Sequence, residues 1–178
     1  MATGKPRAGA PAITTGNVIR DSSMGLATQL IDGIVRLNDS VWRRNSVRLA
    51  LVEMLRLRNA RTVNCVFCKA ARYDVARQDG LTEDKVAQID DGFASSALSE
   101  MEKLVLGFAD VYLRDPGHFD PQLIASLREH FSAEQICHMA VSLATFNASS
   151  KCAVSLGGMP EFVPVMVVAL PPPVEAPA

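Results

Sequence analysis

The segment of residues 133–156 limits most strongly how this chain can fold. Its apolar residues, among them Ile136 and Phe146, fall on nearly every face of a helix. Ser132 and Gln135 at its start have the spacing of a capping box, in which two side chains satisfy free amides of the first turn. A helix without a polar face has to be buried. We therefore expect a central helix that other helices surround.

The segments before it follow the same 3.6-residue period and carry helix-start and helix-end signals. Ser99 and Glu102 have a second capping-box spacing, Asp120 followed by Pro121 is typical of a helix start, and Gly80 suits a left-handed helix end. Hydrophobic residues make up 48% of the chain but aromatic residues only 6%, which favours helix packing over a β-sandwich. No segment alternates as a strand does. The sequence predicts an all-α fold.

The chain has 178 residues, enough for one domain with a buried core. Residues 1–22 are rich in Ala, Gly, Pro and Thr and are typical of a flexible arm. Residues 171–178 begin with three prolines and predict an extended tail. Residues 23–170 form the predicted helical domain. Within it, the segment of residues 162–170 is too hydrophobic to remain in water, so we expect it to pack on its own or a neighbouring subunit.

Charge and segment length exclude several classes of protein. The formal net charge is −1, which provides no basic surface for nucleic acid. The longest apolar run is interrupted by Pro164 and is too short to cross a bilayer. The first residues contain no apolar stretch of signal-peptide length. The sequence predicts a cytoplasmic protein without a nucleic-acid or membrane partner.

Cys65 and Cys68 form a C-x-x-C pair with three interpretations. A structural zinc site needs two further ligands, and neither Cys137 nor His138 has a helpful spacing. The pair can also be two coincidental buried thiols, or a redox-active dithiol. We favour the dithiol and predict no metal and no cofactor. Cys137 and Cys152 stand alone in apolar helical sequence and are expected to be small core residues.

The dithiol interpretation depends on a position at the start of a helix. Asn64 is a suitable N-cap for a helix that begins at Cys65 and continues to Gly80. Both sulfur atoms would then lie in the first turn, where the helix dipole lowers the pKa of a thiol. Arg72 follows Cys68 by four residues, and its charge would lower that pKa further.

Glu53 lies on the preceding apolar helix, which we expect to begin near Ser46. Its carboxylate can pair with Arg56, three residues later, at an exposed edge of the helix. Alternatively it can carry protons for the cysteines. The spacing alone favours the pair with Arg56.

Together these features resemble the AhpD-like group of the carboxymuconolactone decarboxylase family. The resemblance is carried by Glu53 twelve residues before Cys65, by Asn-Cys-x-x-Cys at residues 64–68 and by Gly-Leu-Thr at residues 80–82, and it covers roughly residues 26–158. It implies an AhpD-like bundle of about six to eight helices in an intertwined homo-oligomer, a trimer or a hexamer.

The resemblance also implies an alkylhydroperoxidase-like enzyme, a thiol-dependent peroxidase. In such enzymes the cysteine that matches Cys68 reacts with a small peroxide, and the one that matches Cys65 resolves it as a disulfide. A thiol reductant then regenerates the pair. The glutamate that matches Glu53 joins a proton relay with a water and a histidine.

The chain departs from this pattern at two positions. Arg72 occupies the place of the relay histidine, and Phe67 that of a second histidine. Arginine does not give up its proton at neutral pH, so it cannot replace a histidine as a base. We expect Arg72 to stabilise the thiolate or to pair with Glu53. The candidate catalytic residues are Cys68, Cys65, Glu53 and Arg72.

Two other functions remain open. The chain can be a redox-sensing or structural oligomer, whose dithiol changes only its shape. It can also be a lactone decarboxylase of the same fold. Enzymes of that kind use acid–base residues and do not generally rely on a C-x-x-C pair, so the retained pair argues against this function.

Overall fold

Helix α2, Leu49–Thr62, lies at the centre of the fold. In the computed structural model, which describes residues 5–9, 11–12, 15–17 and 19–170, every residue from 50 to 60 is buried. The helix begins at Leu49 and not near Ser46, because its N-terminal cap comes from a distant residue. The carboxylate of Asp79 accepts a hydrogen bond from the Ala50 amide at 2.9 Å. A cap of this kind leaves no local sequence signal.

Helix α8, Ala133–Leu156, packs along α2 and has the predicted capping box. Its buried face includes Met139 and Phe146. Cys137 and Val141 on another face are exposed. The expectation that this helix is surrounded on all sides was therefore wrong for the described chain. Its neighbours cover one side only, and α2 takes the central place.

The described residues contain six further α-helices. The predicted start signals at Ser99 and Asp120 act as N-caps of two of them, and Thr82 caps a third. Gly80 has the left-handed backbone expected of it, with φ of 96°. Single turns of 3₁₀ helix occur at Ser23–Leu26 and Phe93–Ser95. The six helices are α1 (Thr28–Arg43), α3 (Val66–Ala70), α4 (Asp74–Gln78), α5 (Glu83–Ala87), α6 (Glu100–Arg114) and α7 (Pro121–His130).

These helices form a bundle around one main core. α6 and α8 both pack on α2, α7 packs on α6, and α1 lies against α8. The core contains few aromatic rings and many aliphatic side chains, such as Leu55, Leu106 and Leu143. Full burial of one such side chain contributes about 1.5–3 kcal/mol. Among the described helices, none combines the length and the hydrophobicity that a bilayer-spanning helix needs.

Two short strands interrupt the helical order. β1, Ala71–Tyr73, pairs in parallel with β2, Met166–Val168. The predicted continuous helix from Cys65 to Gly80 was therefore wrong, because it is divided into α3, β1 and α4. Each strand has only three residues, too few to produce an alternating pattern. The predicted all-α class is nevertheless confirmed, because helices make up most of the described structure.

The segment of residues 162–170 is covered only in part. Its middle forms β2, and Leu170 packs against the main core. Phe162 and Val165 remain 77% and 59% exposed. The expectation that the segment packs on its own subunit holds for part of its length.

The predicted N-terminal arm, residues 1–22, contacts α8 where it is described. The Arg7 amide donates a hydrogen bond to the Leu156 carbonyl at 2.7 Å. The predicted tail, residues 171–178, lies outside the described residues. The division of the chain into arm, domain and tail stays a prediction.

Candidate functional site

Cys65 and Cys68 are joined by a disulfide at the start of α3, with their Cα atoms 5.2 Å apart. Cys65, and not Asn64, is the N-cap of this helix, because its Sγ accepts a hydrogen bond from the Cys68 amide at 3.3 Å. Asn64 has a left-handed backbone with φ of 57°. It turns the chain from the end of α2 into α3. The pair lies at a helix start as predicted, with the cap one residue later.

The two cysteines differ in access. Cys65 is completely buried, whereas Cys68 lines a cavity of about 330 Å³. The rest of the lining is mainly apolar and includes Phe67, Phe146 and Leu170. A small molecule in the cavity can therefore contact Cys68, whereas Cys65 does not line the cavity.

The cavity lies between segments that are far apart in sequence. Its walls come from the loop at residues 15–17, from α1, from the cysteine segment, from α8 and from the segment around β2. Polar side chains interrupt the apolar wall at a few places. They are Asn38, Asp39, Arg56, Tyr73, Ser149 and Ser150, together with Thr15 and Asn17 of the loop.

Glu53 forms a buried ion pair with Arg56. The Arg56 Nε and Nη2 atoms donate to the two carboxylate oxygens of Glu53 at 2.6 and 2.7 Å. The Tyr73 amide donates a third hydrogen bond to the same carboxylate at 3.3 Å. The predicted pair with Arg56 is therefore present. It lies in the interior and not at an exposed edge, because neighbouring elements cover α2 on every side.

Arg56 connects this ion pair to the cysteine segment. Its guanidinium donates to the carbonyl of Cys68 at 2.6 Å and to that of Ala71 at 2.7 Å. Burial would lower the pKa of Arg56, but the adjacent Glu53 outweighs this and raises the pKa above its usual value. Arg56 is thus a permanent cation on the cavity wall. The sequence had suggested it only as a partner for Glu53.

Arg72 has different partners from those expected. Its Nε atom binds the carboxylate of Glu83 at 3.1 Å, and its Nη1 atom donates to the carbonyls of Lys69 and Ala71. Of the two roles expected for Arg72, the pair with Glu53 was wrong, because Arg56 already engages both oxygens of Glu53. A catalytic role for Arg72 stays a prediction.

A chain of polar side chains reaches Cys68 from α8 and α2. The Ser150 hydroxyl donates to the Cys68 Sγ at 3.4 Å, and the Asn59 Nδ2 donates to the Ser150 Oγ at 3.0 Å. Asn147 of α8 donates to the Asn59 Oδ1 at 2.8 Å. Ser150 and Asn59 are not among the candidate residues that the sequence indicates. A polar residue within an apolar helix was their only signal.

Tyr73 forms another part of the cavity wall. Its ring stacks on Trp42 with the centroids 4.0 Å apart. Burial raises the pKa of the Tyr73 phenol above its usual value, and the nearby Arg56 offsets this only in part. The phenol therefore stays protonated at neutral pH.

The remaining cysteines lie outside this arrangement. Cys137 is exposed and Cys152 is half-buried. The expectation of a core position was wrong for Cys137, since its face of α8 has no neighbour in the described chain. Among the described residues, no group of three His, Cys, Asp or Glu side chains could hold a metal ion.

A solved structure from Agrobacterium tumefaciens is similar to this chain, with a TM-score of 0.64 and 22% identity. The similarity covers 74% of this chain and 90% of that protein, which is of unknown function and provisionally assigned as the antioxidant defence protein AhpD. The fold is AhpD-like. At this identity, the similarity establishes the AhpD-like fold and not an activity.

Sequence comparison finds relatives of unestablished function. No family model matches the chain. An uncharacterized protein of Mycobacterium tuberculosis, found in strains CDC 1551 / Oshkosh and ATCC 25618 / H37Rv, is 29% identical over 143 residues. The match covers 80% of this chain and 49% of that protein. The chain thus spans about half the length of the relatives it matches.

Proposed function

We propose that this protein is a dithiol oxidoreductase that reduces peroxides through Cys68 and Cys65. The observation that carries the proposal is the unequal access of two bonded cysteines. Cys68 lines the cavity, and Cys65 is buried directly behind it. Cys68 therefore meets the substrate and is oxidised first, and Cys65 is placed to resolve the oxidised Cys68 as a disulfide.

The proposed reaction has three steps. The Cys68 thiolate attacks the terminal oxygen of an organic hydroperoxide, so that an S–O bond forms, the O–O bond breaks and Cys68 becomes a sulfenic acid. The alkoxide that leaves takes a proton from solvent and becomes an alcohol. The Cys65 thiol then attacks the sulfenic acid, and the S–S bond forms as water leaves. An external dithiol reductant returns the pair to its reduced state and is itself oxidised to a disulfide.

The mainly apolar lining of the cavity supports an organic hydroperoxide as the substrate. Apolar walls favour an alkyl chain. Arg56 lies in the same wall and holds the cysteine segment in place through its bond to the Cys68 carbonyl. Glu53 holds this guanidinium in place and, in this proposal, is a positioning residue.

Peroxide consumption with a dithiol reductant tests the proposal. We expect turnover by the wild type and its loss in Cys68→Ser. Cys65→Ser should consume one equivalent of peroxide without reductant and leave a sulfenic acid that dimedone traps. Cys137→Ser removes an exposed thiol distant in sequence from the pair and is the matched control. Equal rates in the wild type and Cys68→Ser would contradict the proposal.

The same experiment separates the redox-sensing function. A disulfide that forms with peroxide but never turns over would support a sensor.

We also propose that the protein acts in the cytoplasm as a homo-oligomer, a trimer or a hexamer, with a thiol protein as its reductant. The exposed apolar side chains of residues 162–170 support the oligomer, because such side chains are typical of a contact surface.

A further inference from the structure

The Ser150 hydroxyl differs from the other hydroxyls described on α8. Ser142, Thr145 and Ser149 donate to the carbonyls four residues earlier, at 2.7, 2.8 and 3.0 Å. This is a common arrangement for a hydroxyl within a helix. Ser150 instead donates to the Cys68 Sγ at 3.4 Å. Its hydrogen is therefore directed away from its own helix.

Two amide side chains hold the Ser150 oxygen in place. The Asn59 Nδ2 donates to the Ser150 Oγ, which leaves the hydroxyl hydrogen free to point elsewhere. Asn147 donates to the Asn59 Oδ1, and so fixes the amide with its NH₂ group towards Ser150. Asn59 and Ser150 are both buried. The bond between these two side chains therefore lies within the interior.

We infer that Ser150 stabilises the thiolate of Cys68 and that Asn59 positions Ser150 for this task. A thiolate accepts a hydrogen bond more strongly than a thiol or a disulfide sulfur does, so the bond becomes stronger when the pair is reduced and ionised. A hydrogen bond to the charged form of a group lowers its pKa. The inference rests on the proposed function only in that Cys68 is the attacking cysteine.

The pH dependence of Cys68 alkylation tests this role. The reduced protein is treated with iodoacetamide over a range of pH, and the rate at each cysteine is followed by peptide mass spectrometry. We expect Ser150→Ala to raise the pKa of the Cys68 thiol by about one unit, the size expected for loss of one hydrogen bond to a charged group. Cys137, which is exposed, is the internal reference and should not change.

Ser149→Ala is the matched control, because Ser149 lines the same cavity but donates to its own helix. It should leave the Cys68 pKa unchanged. Ser150→Thr retains a hydroxyl, so its Cys68 pKa should lie much closer to the wild-type value than to that of Ser150→Ala. Asn147→Ala, at a partly exposed position, should give a smaller shift in the same direction, and it keeps the test available if Ser150→Ala does not fold.

An unchanged Cys68 pKa in folded Ser150→Ala and Asn147→Ala, or an equal shift in Ser149→Ala, would overturn the inference. The alkylation assay contains no peroxide, so its result is independent of turnover. A shifted pKa in a protein without peroxide turnover would contradict the proposed function alone. Peroxide turnover with an unshifted pKa would contradict the role of Ser150 alone.

Discussion

At the scale of residues, the buried ion pair of Glu53 and Arg56 is the feature of the site that depends most on complete hydrogen bonding. Both side chains lie in the interior, where a charge is costly unless all of its polar atoms have partners. Both oxygens of the carboxylate and three nitrogens of the guanidinium form hydrogen bonds. The pair can be buried because of these bonds.

Arg56→Leu should lower the free energy of unfolding by about 3–5 kcal/mol, since it leaves the Glu53 carboxylate buried without its cation. Urea unfolding of the oxidised protein measures this. The control is Lys103→Ala, which breaks a pair with the exposed Glu100 and should cost less than about 1 kcal/mol. A loss in Arg56→Leu no larger than in this control would show that the buried charge finds another partner.

At the scale of elements, the start of α6 depends on one carboxylate. Glu102 accepts hydrogen bonds from the amide and the hydroxyl of Ser99, and it forms an ion pair with Lys85 at 2.8 Å. Burial alone would raise the pKa of Glu102. The bonds from Lys85 and Ser99 outweigh this, so the pKa lies below its usual value.

Glu102→Gln should therefore reduce stability at neutral pH, by up to about 1 kcal/mol for a pair near the surface. The pKa is lower in the folded than in the unfolded chain, so the contribution of Glu102 is present above the unfolded pKa. It is lost as the pH falls through the folded value. Thermal unfolding of both proteins between pH 7 and acid should show the difference shrinking. A difference independent of pH would contradict the assignment.

The loop at residues 15–17 forms one wall of the cavity and is held by Asp21. The two Asp21 oxygens accept hydrogen bonds from the amides of Thr15 and Gly16, at 2.7 and 2.8 Å. Asp21→Asn replaces one oxygen with an NH₂ group, which cannot accept. Exchange of the Thr15 and Gly16 amides with deuterium should then become faster. The Gly25 amide, bonded to the Ser22 carbonyl, should keep its rate; unchanged exchange at Thr15 and Gly16 would show that the loop has other support.

Predictability from sequence follows the distance between partners. Ser99, Ser132 and Asp120 act on amides within the next turn, so their helices could be predicted, and the C-x-x-C pair is equally local. The bond from Ser150 to Cys68 joins residues 82 positions apart. Its formation depends on how α8 packs on α2, and no spacing in the sequence records this. The same applies to the cap that Asp79 supplies to α2 and to the pairing of β1 with β2.

At the scale of the whole molecule, the described residues leave apolar side chains exposed around β2. Phe162, Val165 and Val167 are all more than half exposed although they belong to one apolar segment. Large apolar side chains in one exposed patch are typical of a contact surface. The segment lies beside the cavity, because Met166 and Leu170 form part of the cavity wall.

Phe162→Asp should reduce the size of the particle in solution, since a charge cannot be buried in an apolar interface without a partner. Sedimentation velocity of the wild type and the variant measures this. Glu161→Gln, at the preceding exposed position, is the matched control and should leave the size unchanged. A monomeric wild type would contradict the proposed oligomer.

The stack of Trp42 on Tyr73 gives the molecule an optical reporter of its own. The chain contains a single tryptophan, so its indole emission comes from one place. That indole lies against a ring of the cavity wall, and the amide of the same tyrosine is bonded to Glu53. Fluorescence of the unlabelled protein can therefore follow events in the cavity, such as ligand entry or a change in the cysteine pair, in real time.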